Sequence, residues 1–164
     1  MHWHPTCGPG STSAGLRSWS CQPLHLMKFL QFKFIPQSTD CALLLLRVVA
    51  GLAMLILHGW PKVANFGDYS EKFMNFLGLG QSISLGLAIF GELVCAALIV
   101  IGLLTRFAAL GLGITMGVAF FMAHGGQLSG PGSGEMAMLY LLICAVIFMA
   151  GPGKVSLDGK RGGA

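Results

Sequence analysis

The stretch that decides the fold is ISLGLAIFGELVCAALIVIGLLTRFAALGLGITMGVAFFMA, residues Ile83–Ala123. It consists of two long apolar segments that are separated only by Thr105-Arg106. The first segment contains one charged residue, Glu92, and the second contains none. Neither segment alternates with a period of two, so both are predicted to be helices. The two-residue connection predicts a tight antiparallel hairpin in which Thr105 is the N-cap of the second helix.

Two further apolar segments flank this hairpin, and the four segments together are Cys41–Leu57, Ile83–Leu104, Phe107–Ala123 and Met136–Ala150. A hydrocarbon core about 30 Å thick requires roughly 17 to 25 helical residues. The second segment is long enough, whereas the fourth needs its flanking residues Ser133–Glu135. Because an open sheet is not stable in lipid, the sequence predicts an all-α fold, an integral membrane four-helix bundle.

The composition of the chain agrees with a membrane protein. Of its 164 residues, 54% are hydrophobic and 10% are charged, against about 25% charged in ordinary soluble domains. So few charges cannot cover the surface of a small protein in water, which excludes a water-soluble globular enzyme. The 24 glycines and 9 methionines fit helices that pack closely in lipid.

An amphipathic pattern lies between the first and second apolar segments, after Trp60-Pro61. The apolar residues that recur at three- and four-residue spacing are Val63, Phe66, Tyr69, Phe73, Phe76 and Leu77, and the charged residues Lys62, Asp68, Glu71 and Lys72 occupy other positions. This pattern predicts an amphipathic segment in the membrane interface. A loop that packs over the bundle is an equal alternative.

The basic residues are distributed unevenly between the two ends of the predicted bundle. If both termini lie inside, the inner side carries seven of them: Arg17, Lys28, Lys33, Arg106, Lys154, Lys160 and Arg161. The outer side then carries two, Lys62 and Lys72. The positive-inside rule therefore predicts a multi-pass protein of the plasma (inner) membrane with both termini in the cytoplasm.

The N-terminal residues differ from the rest of the chain. The first 26 residues contain a single charged side chain, Arg17, and no apolar run of the kind a secretory signal needs. Residues 1–38 are predicted to be a disordered or non-native extension with a basic lead-in after Met27. Residues 39–158 form the predicted membrane domain and residues 159–164 a cytoplasmic tail. His2, His4 and Cys7 could hold a metal in principle, but no metal site is predicted.

The five cysteines are Cys7, Cys21, Cys41, Cys95 and Cys144, and they form no CxxC motif. Thiol–disulfide exchange and iron–sulfur clusters therefore lack their usual ligand pattern. A single cysteine on an apolar helix usually packs as a small hydrophobic residue, and we expect this of Cys41, Cys95 and Cys144.

Two charged residues fall inside predicted spans, where an ionisable group costs several kcal/mol unless it is paired or solvated. Arg47 lies 11 residues before His58, and Glu92 lies 11 residues after Gln81. At about 1.5 Å per residue both reach a depth of roughly 16 Å. The sequence therefore predicts that Arg47 and Glu92 form a charge pair near the midplane. This pair is either a structural lock on helix register or one step of a proton or quinone site.

A second polar group gathers at the outer ends of the predicted spans, and its members are His58, Lys62, His124, Glu135 and Tyr140. His58 shares a helical face with Arg47, Gly51 and Met54, and His124 shares one with Gly113, Gly117 and Phe120. The two clusters are thus predicted to lie along one inner seam, with Gly113 and Gly117 as a close-approach pair. The open alternatives are a quinone-type redox pocket, a metal site without the usual His or Glu spacing, and residues that only stabilise the helix ends.

Three stretches resemble the DoxX family of membrane proteins. They are LLRVVAGLAMLILHGWPKV (Leu45–Val63), GELVCAALIVIGLLTRFAAL (Gly91–Leu110) and GPGKVSLD (Gly151–Asp158). They match the family's arginine-bearing first helix, its glutamate-bearing second helix that runs into GLLTR, and its glycine-rich tail. The resemblance covers roughly residues 39–158. By this resemblance the residues of interest are Arg47, His58, Lys62, Glu92, Arg106 and Lys154.

The resemblance implies a small membrane protein that is associated with redox or oxidative-stress complexes, such as the membrane subunit of an archaeal thiosulfate:quinone oxidoreductase. The expected function is that of a quinone-linked redox protein or membrane subunit, with quinone as a ligand and no intrinsic cofactor. The expected catalytic residues are Arg47, His58 and Glu92, and the expected substrate-binding residues are Lys62, His124, Glu135 and Tyr140. The alternative is a non-catalytic scaffold that docks a soluble redox or stress-response enzyme on its cytoplasmic basic face. A small-molecule or proton transporter is least favoured, because no internal repeat is detectable.

Overall fold

The computed structural model describes residues 38–161 of the chain. In this part of the chain every regular element is helical, so the predicted all-α architecture is confirmed there. The helices are α1 (Thr39–Ala64), α2 (Phe66–Lys72), α3 (Gln81–Ile101), α4 (Thr105–Ala123), α5 (Glu135–Ala150) and α6 (Leu157–Lys160). The predictions for residues 1–37 and 162–164 lie outside the described residues.

Helix α1 is longer than the sequence indicated. It begins behind Ser38, whose hydroxyl accepts a hydrogen bond from the Cys41 amide at 3.3 Å, and it continues past the expected end at Leu57 to Ala64. Pro61 does not stop the helix, because the preceding turn is a π-helix over Leu55–Gly59. This wider turn shifts the backbone hydrogen-bonding pattern in front of the proline, which itself has no amide proton to donate.

The amphipathic pattern of residues 63–77 forms two short elements, not one interfacial helix. Helix α2 ends at Lys72, the chain is extended at Phe73, and a 3-10 turn follows at Phe76–Gly78. The Ser84 hydroxyl accepts a hydrogen bond from the Phe76 amide at 2.9 Å, which ties this segment to the start of α3. The alternative of a loop packed over the bundle is therefore closer to the structure.

The predicted hairpin of α3 and α4 is confirmed, but its cap is not Thr105. Gly102 ends α3 in the left-handed conformation (φ +71°), and Leu104 precedes α4 with φ +48°. The acceptor at the start of α4 is the carboxylate of Asp158. It accepts hydrogen bonds from the Leu104 amide at 3.0 Å, the Thr105 amide at 2.9 Å and the Thr105 hydroxyl at 3.0 Å. The prediction of Thr105 as the cap was wrong because a distant residue, supplied by the C-terminal tail, takes that role.

The core and the outer surface of the helices are both apolar. The largest fully buried apolar side chains are Met54, Leu85, Ile99 and Ile147, and the buried Cys95 and Cys144 belong to the core as well. Leu57, Phe121 and Met149 are about two-thirds exposed or more on the outside, and many other large apolar side chains are exposed to a lesser degree. Soluble monomeric proteins rarely expose an apolar surface this large. Helices α1, α3 and α4 are long and apolar enough to cross a membrane. The shorter apolar helix α5 has 16 residues and is about 24 Å long.

Polar side chains gather at both ends of the helices. At one end, called here the basic end, the start of α1, the α3–α4 connection and the tail Gly151–Arg161 come together. At the opposite end, called the cavity end, His58 of α1 and His124 after α4 lie on the same cavity.

Candidate functional site

Each of the three long helices contains a π-helical turn, and each turn carries or precedes a polar residue. The turns are Leu55–Gly59, which contains His58, Phe90–Cys95, which contains Glu92, and Ala119–Ala123, which is followed by His124. Turns of this kind are rare and occur often at functional sites, because the extra residue per turn redirects side chains. All three polar side chains line one cavity at the cavity end.

The strongest polar interaction in that cavity is an ion pair between Lys62 of α1 and Glu92 of α3. The two side chains are 17% and 7% exposed, so the carboxylate is the more deeply buried partner. The helices approach closely here, since a Cβ atom on Gly59 would lie only 2.8 Å from the Glu92 carbonyl oxygen. Because Gly59 has no side chain, the backbone of α1 can contact the backbone of α3 directly beside Glu92.

The predicted charge pair between Arg47 and Glu92 was wrong. Gly59 is level with Glu92, and Arg47 precedes Gly59 by 12 residues, or about 18 Å along the helix. The prediction took His58 as the end of α1, whereas the helix continues to Ala64. The actual partner of Glu92 is Lys62, which the shorter helix would have placed outside the span.

Arg47 lies at the basic end, where its side chain is 1% exposed. Its Nη2 donates a hydrogen bond to the carbonyl oxygen of Val155 in the tail at 2.6 Å. Within residues 38–161, its Nε and Nη1 have no hydrogen-bond partner. Arg47 packs directly against Gly102, so it joins α1 to the α3–α4 connection and to the tail. Arg47 does not line the cavity, and its catalytic role stays a prediction.

The cavity has a volume of about 520 Å³, within the range of roughly 300 to 1,000 Å³ found for small-molecule sites. Five of its residues were predicted from the sequence: His58, Lys62, Glu92, His124 and Tyr140. The ring of His58 packs edge to face against that of Tyr140, with centroids 6.0 Å apart. The remaining wall is mostly apolar, so a few polar side chains project from an otherwise hydrophobic lining.

His124 is held in one orientation. Its Nδ1 donates to the carbonyl oxygen of Ala119 at 2.8 Å, inside the π-helical turn. A carbonyl oxygen only accepts, so the neutral ring carries its proton on Nδ1 and leaves Nε2 as an acceptor. The hydrogen bond to the π-helical turn thus leaves Nε2 as the ring nitrogen that a ligand would meet.

The cavity is lined in part by apolar side chains that are also exposed on the outside of α3 and α4. Its lining residues Leu87, Phe90 and Ile114 are 47%, 46% and 59% exposed to the surroundings of the helices. Next to these residues Gly91 of α3 packs directly against Thr115 of α4, so the two helices are in close contact there. Part of the cavity wall is therefore continuous with the apolar outer surface of the helices.

Glu135, like Arg47, is a predicted site residue that does not line the cavity; it is exposed at the start of α5. Phe73, Phe76, Ser84 and Thr115 line the cavity and were not predicted as site residues. Phe73 and Phe76 belong to the amphipathic pattern, but that pattern also fits an interfacial helix and did not show where their rings lie. Ser84 and Thr115 carried no distinguishing signal in the sequence.

The predicted glycine pair on α4 is only half confirmed as a close approach. A Cβ atom on Gly113 would lie 3.4 Å from the Cys144 side chain on α5, whereas Gly117 has nothing within 4 Å. Among residues 38–161, no group of three or more His, Cys, Asp or Glu side chains is arranged to hold a metal ion. His2, His4 and Cys7 lie outside the described residues.

Comparison with known proteins agrees with this architecture. The model of the DoxX family matches residues 42–125, which include nearly all of α1, all of α3 and α4, and the three π-helical turns. An uncharacterized protein of Haemophilus influenzae is 33% identical over 120 residues, which cover 70% of this chain and 87% of the relative. A second uncharacterized protein of the same organism is 29% identical over 105 residues, or 62% of this chain and 70% of the relative. No solved structure matches the chain. The match to the family model and the identity with the first relative show that this chain belongs to the DoxX family.

Proposed function

We propose that this DoxX family membrane protein binds a membrane quinone in the cavity and acts as a quinone-linked redox protein or as the membrane subunit of an oxidoreductase complex. The observation that carries the proposal is one cavity that combines a polar cluster with apolar lining residues exposed on the outer surface of the helices. A ligand that uses both must be soluble in the bilayer and must carry a polar head.

The cavity fits a quinone in size and in chemistry. Its volume of about 520 Å³ is sufficient for a substituted ring and the first part of an isoprenoid chain. The Lys62 ammonium and the Tyr140 hydroxyl are donors for quinone carbonyl oxygens. Leu87, Phe90 and Ile114 offer an apolar path for the chain toward the bilayer.

A bound quinone supplies two-electron, two-proton chemistry, and the residues of the cavity bind, orient and exchange protons with it. Glu92 holds the ammonium of Lys62 in position. Lys62 is also partly exposed, so the pair connects the buried carboxylate to the outside of the protein. His124 presents its Nε2, and His58 lies against Tyr140. We assign the supply of electrons to a partner subunit or to a bound reductant.

The same proposal includes the arrangement in the membrane. Helices α1, α3, α4 and α5 cross the plasma (inner) membrane, and the basic end with both termini faces the cytoplasm, as the distribution of Lys and Arg favours. The apolar helix α5, at about 24 Å, then requires residues of the loop before it to complete the span, or a locally thinner bilayer.

The test is quinone binding to detergent-purified protein, measured by thermal shift and by titration with decylubiquinone and a short-chain naphthoquinone. We expect saturable stabilisation of the wild type, which is lost in His58→Ala and Glu92→Gln. The exposed residue Glu71 on α2 is absent from the cavity lining, so Glu71→Gln is the matched control and should bind as the wild type does. A wild type that gains no stability from either quinone contradicts the proposal.

The scaffold alternative makes a different prediction for the same set of variants. If the protein only docks a soluble enzyme, the quinones leave its stability unchanged. Recovery of the partner from membranes then falls when Lys154, Lys160 and Arg161, which are exposed at the basic end, are neutralised. Partner recovery that is unchanged by these substitutions argues against the scaffold.

A further inference from the structure

A second concavity lies at the basic end, about 870 Å³ in volume. It is formed where α1, the start of α4, the end of α5 and the tail meet. Three cations line it, Arg106, Lys154 and Arg161, together with the carboxylates of Asp40 and Asp158. No part of the cavity end contributes to it, so it is separate from the quinone site proposed above.

Both carboxylates of the concavity are occupied by backbone donors. Asp158 accepts from the amides of Leu104 and Thr105 and from the Thr105 hydroxyl. These bonds hold its pKa below the ordinary value. Asp40 accepts from the Lys154 amide at 3.0 Å. The two side chains therefore brace the tail against the helices, and the charge of Arg161 also contributes to the lowered pKa of Asp158.

None of the three cations is held in a close ion pair. Within residues 38–161, the pair of Lys62 and Glu92 is the only ion pair with nitrogen and oxygen within 4 Å. Three cations and two carboxylates leave one net positive charge over the concavity. The guanidinium of Arg106 lies against Gly151, where a Cβ atom would be 3.3 Å from Nη2. A planar guanidinium positioned in this way suits an oxyanion with two acceptor oxygens, such as a phosphate.

One side of the concavity is apolar and faces outward. Leu104 and Phe107 line it and are each 58% exposed, and Leu43 and Ala150 continue the apolar wall. A free phosphate would leave this wall in contact with water. A phospholipid would cover it with the upper part of its acyl chains while the headgroup meets the cations.

We propose that this concavity binds the phosphodiester headgroup of an anionic phospholipid, with Arg106 and Lys154 as the principal contacts and Arg161 at the rim. One net positive charge matches the single negative charge of a phosphatidylglycerol headgroup. Basic pockets between helices at a membrane surface bind anionic headgroups in this manner. The site also joins the lipid to Gly151–Arg161, so bound lipid holds the tail on the end of the bundle.

The experiment is native mass spectrometry of the full-length protein in detergent, titrated with phosphatidylglycerol and with phosphatidylcholine of the same acyl chains. We expect phosphatidylglycerol to bind more tightly. Neutralising one cation near a charged lipid surface weakens binding about fivefold, so Arg106→Gln and Lys154→Gln should each lose about that factor. Lys160 is exposed on the same tail but does not line the concavity, so Lys160→Gln is the matched control and should bind as the wild type does.

Several outcomes overturn the proposal. Equal binding of both lipids shows that no anion site exists. An equal loss in Lys160→Gln and Arg106→Gln shows attraction by overall charge alone. Competition by millimolar glycerol phosphate against the bound lipid assigns the concavity to a soluble phosphate. Each variant is included only if its elution profile and circular dichroism match the wild type, and Arg106→Lys supplies a folded variant that keeps the charge but loses the planar contact.

Discussion

Lys62 of α1 and Glu92 of α3 form an ion pair in the wall of a mostly apolar cavity. The side chain of Glu92 is 7% exposed and that of Lys62 is 17% exposed. We therefore expect removal of one partner to affect the two residues to different degrees. A lysine can turn its flexible stem toward the interface, whereas Glu92 lies on a π-helical turn next to Gly59.

The first prediction concerns this asymmetry. Lys62→Met leaves a buried carboxylate without a partner, and breaking a buried pair costs about 3 to 5 kcal/mol, so this variant should lose the most stability. Glu92→Gln leaves a lysine that can reach water and should lose less. The double variant Lys62→Met with Glu92→Gln removes both charges and should recover much of the loss. The measurement is thermal or denaturant unfolding in detergent, combined as a double-mutant cycle.

A cycle with no coupling between the two positions contradicts this interpretation, because independent residues show additive losses. The matched control is Lys72→Met on α2, where the lysine is exposed. It should change the unfolding free energy by no more than about 0.5 kcal/mol.

The second prediction concerns the contact that places Glu92. A methyl group on Gly59 would lie 2.8 Å from the Glu92 carbonyl oxygen and 3.1 Å from the Leu93 Cα atom. Because both are backbone atoms, α1 and α3 must separate, and overpacking of this kind costs roughly 1 to 3 kcal/mol. Gly59→Ala should therefore destabilise the protein and weaken ligand binding in the cavity. Gly86 on α3 has nothing within 4 Å, so Gly86→Ala is the control and should be neutral or stabilising.

The part of the fold that the sequence could predict depends on composition and on local spacing. The apolar segments and the short Thr105-Arg106 connection were sufficient for the helices and for the hairpin of α3 and α4. The faces shared by Arg47 with Gly51 and by Phe120 with His124 also followed from helical periodicity. Each of these inferences uses residues that are close together in the chain.

The predictions that failed required contacts between distant residues or a departure from regular helix geometry. Pro61 indicated a helix end, and nothing local shows that a π-helical turn lets the helix continue to Ala64. This single error in length assigned Glu92 to Arg47 and not to Lys62. The capping of Thr105 by Asp158 joins residues 53 positions apart, which no local pattern reveals.

The third prediction concerns the pH dependence of the tail. Hydrogen bonds from the Thr105 and Leu104 amides lower the pKa of Asp158 in the folded protein below its value of 3.8 in the unfolded chain. The ionised form is therefore favoured by folding, and its contribution to stability is fully present above the unfolded pKa. It is lost as the pH falls through 3.8 and then through the lower folded value. The stability difference between wild type and Asp158→Asn should be constant near neutral pH and shrink toward pH 3.

Unfolding of the two proteins in detergent over this range gives the measurement. A difference that grows as the pH falls has the wrong sign for a carboxylate with a lowered pKa.

The fourth prediction concerns the proposed entry of the quinone into the cavity from lipid. Ala119 lies on the π-helical turn of α4 and lines the cavity, so Ala119→Trp would place an indole in the space between α3 and α4. We expect this variant to remain folded, because the added ring enters a cavity and not a packed core. Its affinity for the quinone analogues should fall by at least about tenfold, which is 1.4 kcal/mol of binding free energy. Ala145 is exposed on α5 and does not line the cavity, so Ala145→Trp adds the same ring to a lipid-facing surface and should leave the affinity unchanged. Equal affinities in the two variants would mean that the ligand enters or binds elsewhere, since an indole in the opening cannot coexist with a ring that occupies the same volume.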